Sequence, residues 1–181
     1  MNLWLRLLWL LITAPWRPRL DAPFGASSLF FRVWPHDLDT NGHMNNGRYL
    51  TIMDLGRADF LLRSGLWRQV RAQRWMPVLS ASKVRFRREL RLFQRFRLES
   101  RVVWWSDTRF VMEHRLLAGG RAGETLAAIA LVLGGLYDRR ERGFVPVARL
   151  FGALGRTVEA PSPSPEVAAF IEAEKALKQA A

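Results

Sequence analysis

Apolar residues run from Leu3 to Ile12, interrupted only by Arg6. Ten residues are too few to cross a bilayer as a helix, which needs about 20. No small-x-small cleavage pattern follows the run. Trp4, Trp9, Trp16, Arg17 and Arg19 suit a membrane interface, where indole rings and guanidinium groups sit at headgroup level. The alternative is a helix packed on the domain or on a partner subunit, since the segment is apolar nearly all round. Ser27–Trp34 then reads as a strand stopped by Pro35, followed by a polar loop, His36–Asn45. Residues 46–64 predict a long helix. Asn45 and Asn46 stand where its start is capped, and Gly65 lies where a C-terminal cap belongs. Its apolar positions cover much of its circumference, so it is expected to be buried on most sides. Strands are expected over 76–86, 93–105, 108–117 and 124–137, with a hairpin turn at 118–123 and a bend or bulge at Gly134-Gly135. A short helix over 146–154, a stiff PSPSP linker at 161–165 and a helix over 166–179 complete the chain. Ser164 is the N-cap of that last helix and Pro165 lies in its first turn. The order predicts an α+β fold, a curved antiparallel sheet with one long helix against a face. The chain divides into an apolar and basic segment (1–26), a domain (27–157) and a linker with a helix (158–181).

The 181 residues suit one domain with additions and can bury a sizeable core. The absence of cysteine excludes a disulfide framework, a cysteine-bound zinc site, an iron–sulfur cluster and a thiol nucleophile. With 49% hydrophobic residues the chain is not disordered. Twenty-eight Lys and Arg oppose sixteen Asp and Glu, a net +12. Between Arg63 and Arg101 stand twelve basic residues and two acidic ones, Glu89 and Glu99, so this stretch alone carries +10. Such a field attracts polyanions: nucleic acid, anionic headgroups or a small phosphorylated ligand. The bland alternative is a solvated, soluble surface. Nucleic acid is not expected, because no known basic-and-aromatic binding module is present.

One stretch carries chemistry: His36-Asp37-Leu38-Asp39-Thr40-Asn41-Gly42-His43-Met44-Asn45-Asn46. It sets carboxylates between a strand end and a helix start, whose unpaired N–H groups carry partial positive charge. A carboxylate beside N–H donors is what acyl transfer needs, one group at the carbonyl carbon and the others at its oxygen. Asp-x-Asp-x-x-Gly-His-x-Asn-Asn, followed by Tyr49, Leu50, Asp54, Gly56 and Arg57, resembles the hotdog-fold thioesterases. It is most similar to the 4-hydroxybenzoyl-CoA thioesterase type. Ser82–Leu90 also resembles the family's strand leading into its longest hairpin.

The resemblance covers roughly residues 27–140. It implies a curved sheet wrapped around one helix, a homodimer or homotetramer with sites at the subunit interface, and hydrolysis of an acyl-CoA or acyl carrier protein thioester. It implies no metal and no cofactor. The family's catalytic aspartate falls on Asp39, and the N–H that polarises the carbonyl falls on Asn46. His43 and Asn45 match positions that shape the loop, and related enzymes with an acid on the helix would place it at Asp54. On chemistry alone, Asp39 is a nucleophile or a general base, with an Asx-turn or cap as the structural alternative. His43 suits a loop-holding hydrogen bond better than catalysis. Asp54 stands at ion-pair spacing from Arg57. Asp37 is expected to bond backbone N–H groups or an arginine. His36, Asp37, Asp39 and His43 match no standard metal spacing.

Arg85, Arg87, Arg88 and Arg91 are candidate contacts for coenzyme A phosphates, although strand alternation sets Arg88 on the opposite face from Arg85 and Arg87. Leu50, Met53, Phe60 and Met76 are candidates to line the acyl pocket. The expected location is cytoplasmic, with residues 1–20 resting on the inner membrane surface. The alternative function is a non-catalytic hotdog domain that binds acyl groups or lipid at a membrane.

Overall fold

The computed structural model describes residues 2–119 and 123–180. Helix α1 (Asn2–Thr13) precedes strand β1 (Ala26–Arg32) and the long helix α2 (Asn46–Arg63). After α3 (Leu66–Gln73) come β2 (Met76–Phe86), β3 (Arg95–Trp105), β4 (Phe110–Ala118), β5 (Thr125–Asp138) and β6 (Gly143–Phe144). Helices α4 (Val147–Gly152) and α5 (Pro165–Gln179) follow. The strands form one antiparallel sheet in the order β1-β3-β4-β5-β2, with β6 added on β5. This is the expected α+β hotdog arrangement, with one long helix held against the sheet. Residues 120–122 of the expected hairpin turn lie outside the described residues.

The bulge expected around Gly134 falls on the facing strand. Leu79 pairs with Gly134 and Ala81 with Leu133, so β2 carries the extra residue. Alternation along β4 sorts side chains to two faces. Met112 joins the cluster of Phe60, Trp105 and Leu136, while Val111 packs with Leu133 against Val167 and Phe170 of α5. The C-terminal helix therefore covers the other face of the sheet. Its start is fixed by Ser164, whose hydroxyl accepts from the Val167 N–H.

Asn45 caps α2, its Oδ1 accepting from the Gly47 N–H at 2.8 Å. Ile52, Met53 and Leu55 are buried in the core with Leu98 and Leu116. At Gly56 a Cβ would overlap Ser100 Oγ and lie 2.9 Å from Leu98 Cδ2, so a glycine lets the helix rest directly on β3. The fully buried residues fall on one side of α2, not on most sides as its composition suggests. Ala58, Leu61 and Leu62, on its other side, border an open cavity. Gly65 (φ 82°) ends α2 and also begins α3, a helix not anticipated from the sequence. Its Leu66 and Val70 are buried, and Trp67, Arg68 and Arg71 point outward.

Helix α1 packs on α2, with Leu10 buried and Leu3 and Leu7 against the core. Ion pairs to two buried carboxylates help fix the N-terminal segment to the domain. Arg6 reaches Asp37 at 2.6 Å and Arg17 reaches Asp59 at 2.9 Å, and both carboxylates are fully buried. Asp59 also accepts from Ser27 Oγ at 2.6 Å and from Arg63 at 3.0 Å.

Candidate active site

The motif loop folds back on itself before α2. The Asp39 N–H donates to His43 O at 2.8 Å, the Gly42 N–H donates to Asp39 O at 3.1 Å, and Leu38 bridges to Met44. Asp39 is half-buried. Its Oδ1 accepts from the Asn41 N–H at 2.9 Å and the His43 N–H at 3.4 Å, an Asx-turn geometry. Asn46 is the first residue of α2, where helical N–H groups have no partner in a preceding turn. Tyr49, one turn later, has its hydroxyl pKa raised by burial, with the carboxylates of Asp39 and Glu89 adding to the shift. The backbone of the loop that carries Asp39 thus runs directly into the first turn of α2.

The remaining motif residues hold this arrangement. Asp37 lies beneath the loop. Its carboxylate meets Arg6, takes the Trp34 N–H at 2.9 Å and lies 3.4 Å from Arg48 Nε. Its carbonyl accepts from the Asn45 N–H at 2.8 Å, which ties the carboxylate-bearing loop to the helix cap. His43 Nε2 is 3.0 Å from Glu89 Oε2, and His43 bridges to Arg91 through its backbone. A hydrogen bond from Arg91 holds the Glu89 carboxyl below its usual range. The segment after β2 therefore runs alongside the motif loop, with the Met44 N–H on Leu90 O and Phe86 packed edge-on to Tyr49 at 5.0 Å. Arg85, near the end of β2, and Arg87 and Arg88, on this segment, are exposed.

A cavity of about 400 Å³ lies further along α2. Its wall is almost wholly apolar, supplied by Leu7 and Leu11 of α1, Leu61 of α2, Trp67 of α3 and the strands β2, β4 and β5. Phe60 lines it; Leu50, Met53 and Met76 do not. Met53 faces the core and Leu50 the solvent. Two charged residues border the cavity, Asp54 and Arg57, which form an ion pair. Asp54 is about 12 Å from Asn46 by helical rise. Arg87 is about 25 Å from the cavity-lining Leu79 by strand rise, so the arginines flank the loop and not the cavity.

Arg57 leads to a group that sequence reasoning did not single out. Its Nη1 lies 3.4 Å from His114 Nε2, and His114 Nδ1 lies 2.8 Å from Ser100 Oγ. A guanidinium only donates, so Nε2 accepts and Nδ1–H donates to the serine. Burial and the Arg57 charge push His114 down to about 3, and burial lowers Arg57 to about 10. Arg6 was the other missed residue; the signal was a lone charge inside an apolar run.

The thioesterase-like superfamily matches residues 33–171, and the chain belongs to it. Protein THEM6 of Xenopus laevis is 40% identical over 86 residues, which are 48% of this chain and 42% of that protein. The proteins of that name from Drosophila melanogaster and Danio rerio are matched over 39% and 56% of their lengths. The chain thus spans about half the length of the curated relatives it matches. Among solved structures, the probable thioesterase YbaW from Escherichia coli superposes with a TM-score of 0.64 at 20% identity, covering 73% of this chain and 98% of that one. A 4-hydroxybenzoyl CoA thioesterase mutant complexed with 4-hydroxybenzoyl CoA gives 0.64 at 15% identity, covering 70% and 96%. These likenesses show the hotdog fold.

Proposed function

We propose that this chain hydrolyses an apolar acyl thioester carried by coenzyme A or an acyl carrier protein. The observation that carries the reading is the joint use of α2. Its N-terminus receives the Asp39 loop, and its open side borders an apolar cavity. The thioester carbonyl oxygen takes the Asn46 N–H, and Asp39 attacks the carbonyl carbon or deprotonates the attacking water. A thiolate leaves readily, so no strong general acid is required. Asn45, His43 and Asp37 act by holding the loop against the helix start. The acyl group extends along α2 past Asp54 and Arg57 into the cavity. Arg85, Arg87 and Arg88 supply positive charge beside the loop, suited to the phosphates of coenzyme A or to an acidic carrier protein. Edge strand β2 has one unpaired side, which suits a homodimer formed by strand pairing.

A second reading is a non-catalytic acyl-binding domain. The Asx-turn bonds on Asp39 Oδ1 favour it, since they give that carboxylate a structural task. The test is thiol release from acyl-CoAs of short, long and aromatic acyl groups, with carrier-protein thioesters in parallel. The hydrolase reading expects turnover on at least one of these; binding without turnover on all of them supports the binding domain.

A further inference from the structure

Helix α1 has two apolar sides. Leu3, Leu7 and Leu10 face the domain, along with Arg6. Trp4, Leu5, Leu8, Trp9, Leu11 and Ile12 face outward, with Trp4 at 73% and Trp9 at 69% exposure. Their spacing sets these six side chains on one continuous arc of about 160°. Soluble monomers rarely leave so large an apolar surface open.

Two neighbouring features say what covers it. Leu11 borders the apolar cavity and is itself exposed, as are Trp67 and Leu79 at the same cavity. The arc therefore continues into the apolar rim of the cavity. Beyond that rim, sharing Trp67 and Pro77 with it, runs a groove of about 520 Å³ bordered by Arg71, Arg74, Arg139 and Arg140. Among the described residues no acidic side chain lines the groove. An apolar helix face with tryptophans, an apolar cavity rim and a strip of arginines thus adjoin one another.

We infer that this face docks on the surface of an anionic lipid bilayer. The α1 arc would enter the headgroup–acyl boundary and the arginines would lie on the lipid phosphates. Charge complementarity favours this occupant over a second copy. A symmetric dimer presents the same patch from both subunits, so two arginine grooves would come close together. The helix lies on the bilayer and does not cross it. Among the described residues no helix is long and apolar enough to span a membrane, and the Arg6–Asp37 pair fixes the inner side of α1 to the domain. Docked in this way, the cavity would open toward the lipid.

The test is co-sedimentation of the full chain with vesicles of phosphatidylcholine alone and of an about 7:3 mixture with phosphatidylglycerol, at physiological salt. Two double variants accompany it, Trp4→Gln with Trp9→Gln, and Arg71→Gln with Arg74→Gln. All four positions are exposed, so unchanged melting temperatures are expected. The wild type is expected on the anionic vesicles, with partitioning at least tenfold weaker for each double variant. Absence from anionic vesicles overturns the inference, and so does binding unchanged by the tryptophan pair. A halved solution mass for the tryptophan pair, measured by light scattering, also overturns it, since a second copy would then cover the face. None of these readouts depends on thioester hydrolysis.

Discussion

Arg6 Nη2 sits 2.6 Å from Asp37 Oδ2, so the one charge in α1 holds the first carboxylate of the motif loop. The same guanidinium donates to Arg32 O at 3.1 Å at the end of β1. Asp37 has no solvent exposure, and its carbonyl binds the N-cap residue of α2. Arg6→Met leaves a buried carboxylate with a weakened set of partners, Arg48 among them. A loss of about 2–4 kcal/mol is expected, read from urea denaturation. Adding Asp37→Asn removes the charge, so the double variant is expected to be less destabilised than the sum of the two single ones.

Gly56 sets how closely α2 approaches the sheet. Gly56→Ala forces Ser100 and Leu98 aside and disturbs the Ser100–His114 bond. A loss of about 1–3 kcal/mol is expected, as for other overpacked cores. Gly152→Ala is the contrast, since among the described residues nothing stands within 4 Å of a Cβ there. That variant is expected to be neutral or slightly stabilising, and melting temperatures decide both cases.

His114 gives stability an acid limb. Its pKa is near 6.5 unfolded and is pushed down to about 3 in the fold by burial and by Arg57. Between those values the unfolded chain binds the extra proton. Stability from this group is therefore full above about pH 6.5 and falls as pH drops toward 3. His114→Gln is expected to flatten that part of the profile, measured as the urea midpoint against pH. An equally steep limb in the variant would assign the effect to other groups.

Much of this was legible in the sequence because period-two strands, Asn45 and the loop motif are local signals. The side of α2 that faces the sheet was not. Its apolar residues surround the helix, and only packing sorts Met53 into the core and Leu61 onto a cavity. Gly56 was a readable clue, since Ile52, Met53 and Phe60 lie on the glycine's side at helical spacing. Helix α3 escaped because Gly65 serves as both stop and start, and LWRQVRAQ places few apolar residues on a short face. Arg6 meets Asp37 across 31 residues of chain, a pairing that no local pattern encodes.

The cavity gives a prediction about substrate length. Ala58 borders it on α2, one residue from Arg57. Ala58→Phe narrows the space without touching the motif loop. Long-chain thioesters are expected to lose at least tenfold in kcat/KM, while the shortest substrates keep theirs. A uniform loss across the panel would contradict the placement of the acyl group.

In the proposed hydrolysis the Asp39 carboxylate is the group that attacks the carbonyl carbon or activates water. Asp39→Asn keeps the oxygen that accepts from the Asn41 N–H, so the loop is expected to hold and the melting temperature to stay close to wild type. The most direct measurement is thiol release by both proteins on the best substrate of the wild type. A drop of about 10²–10⁴-fold in kcat is expected for Asp39→Asn. Turnover within a few fold of wild type in the folded variant would contradict it and move the chemistry to Asp54 or His43.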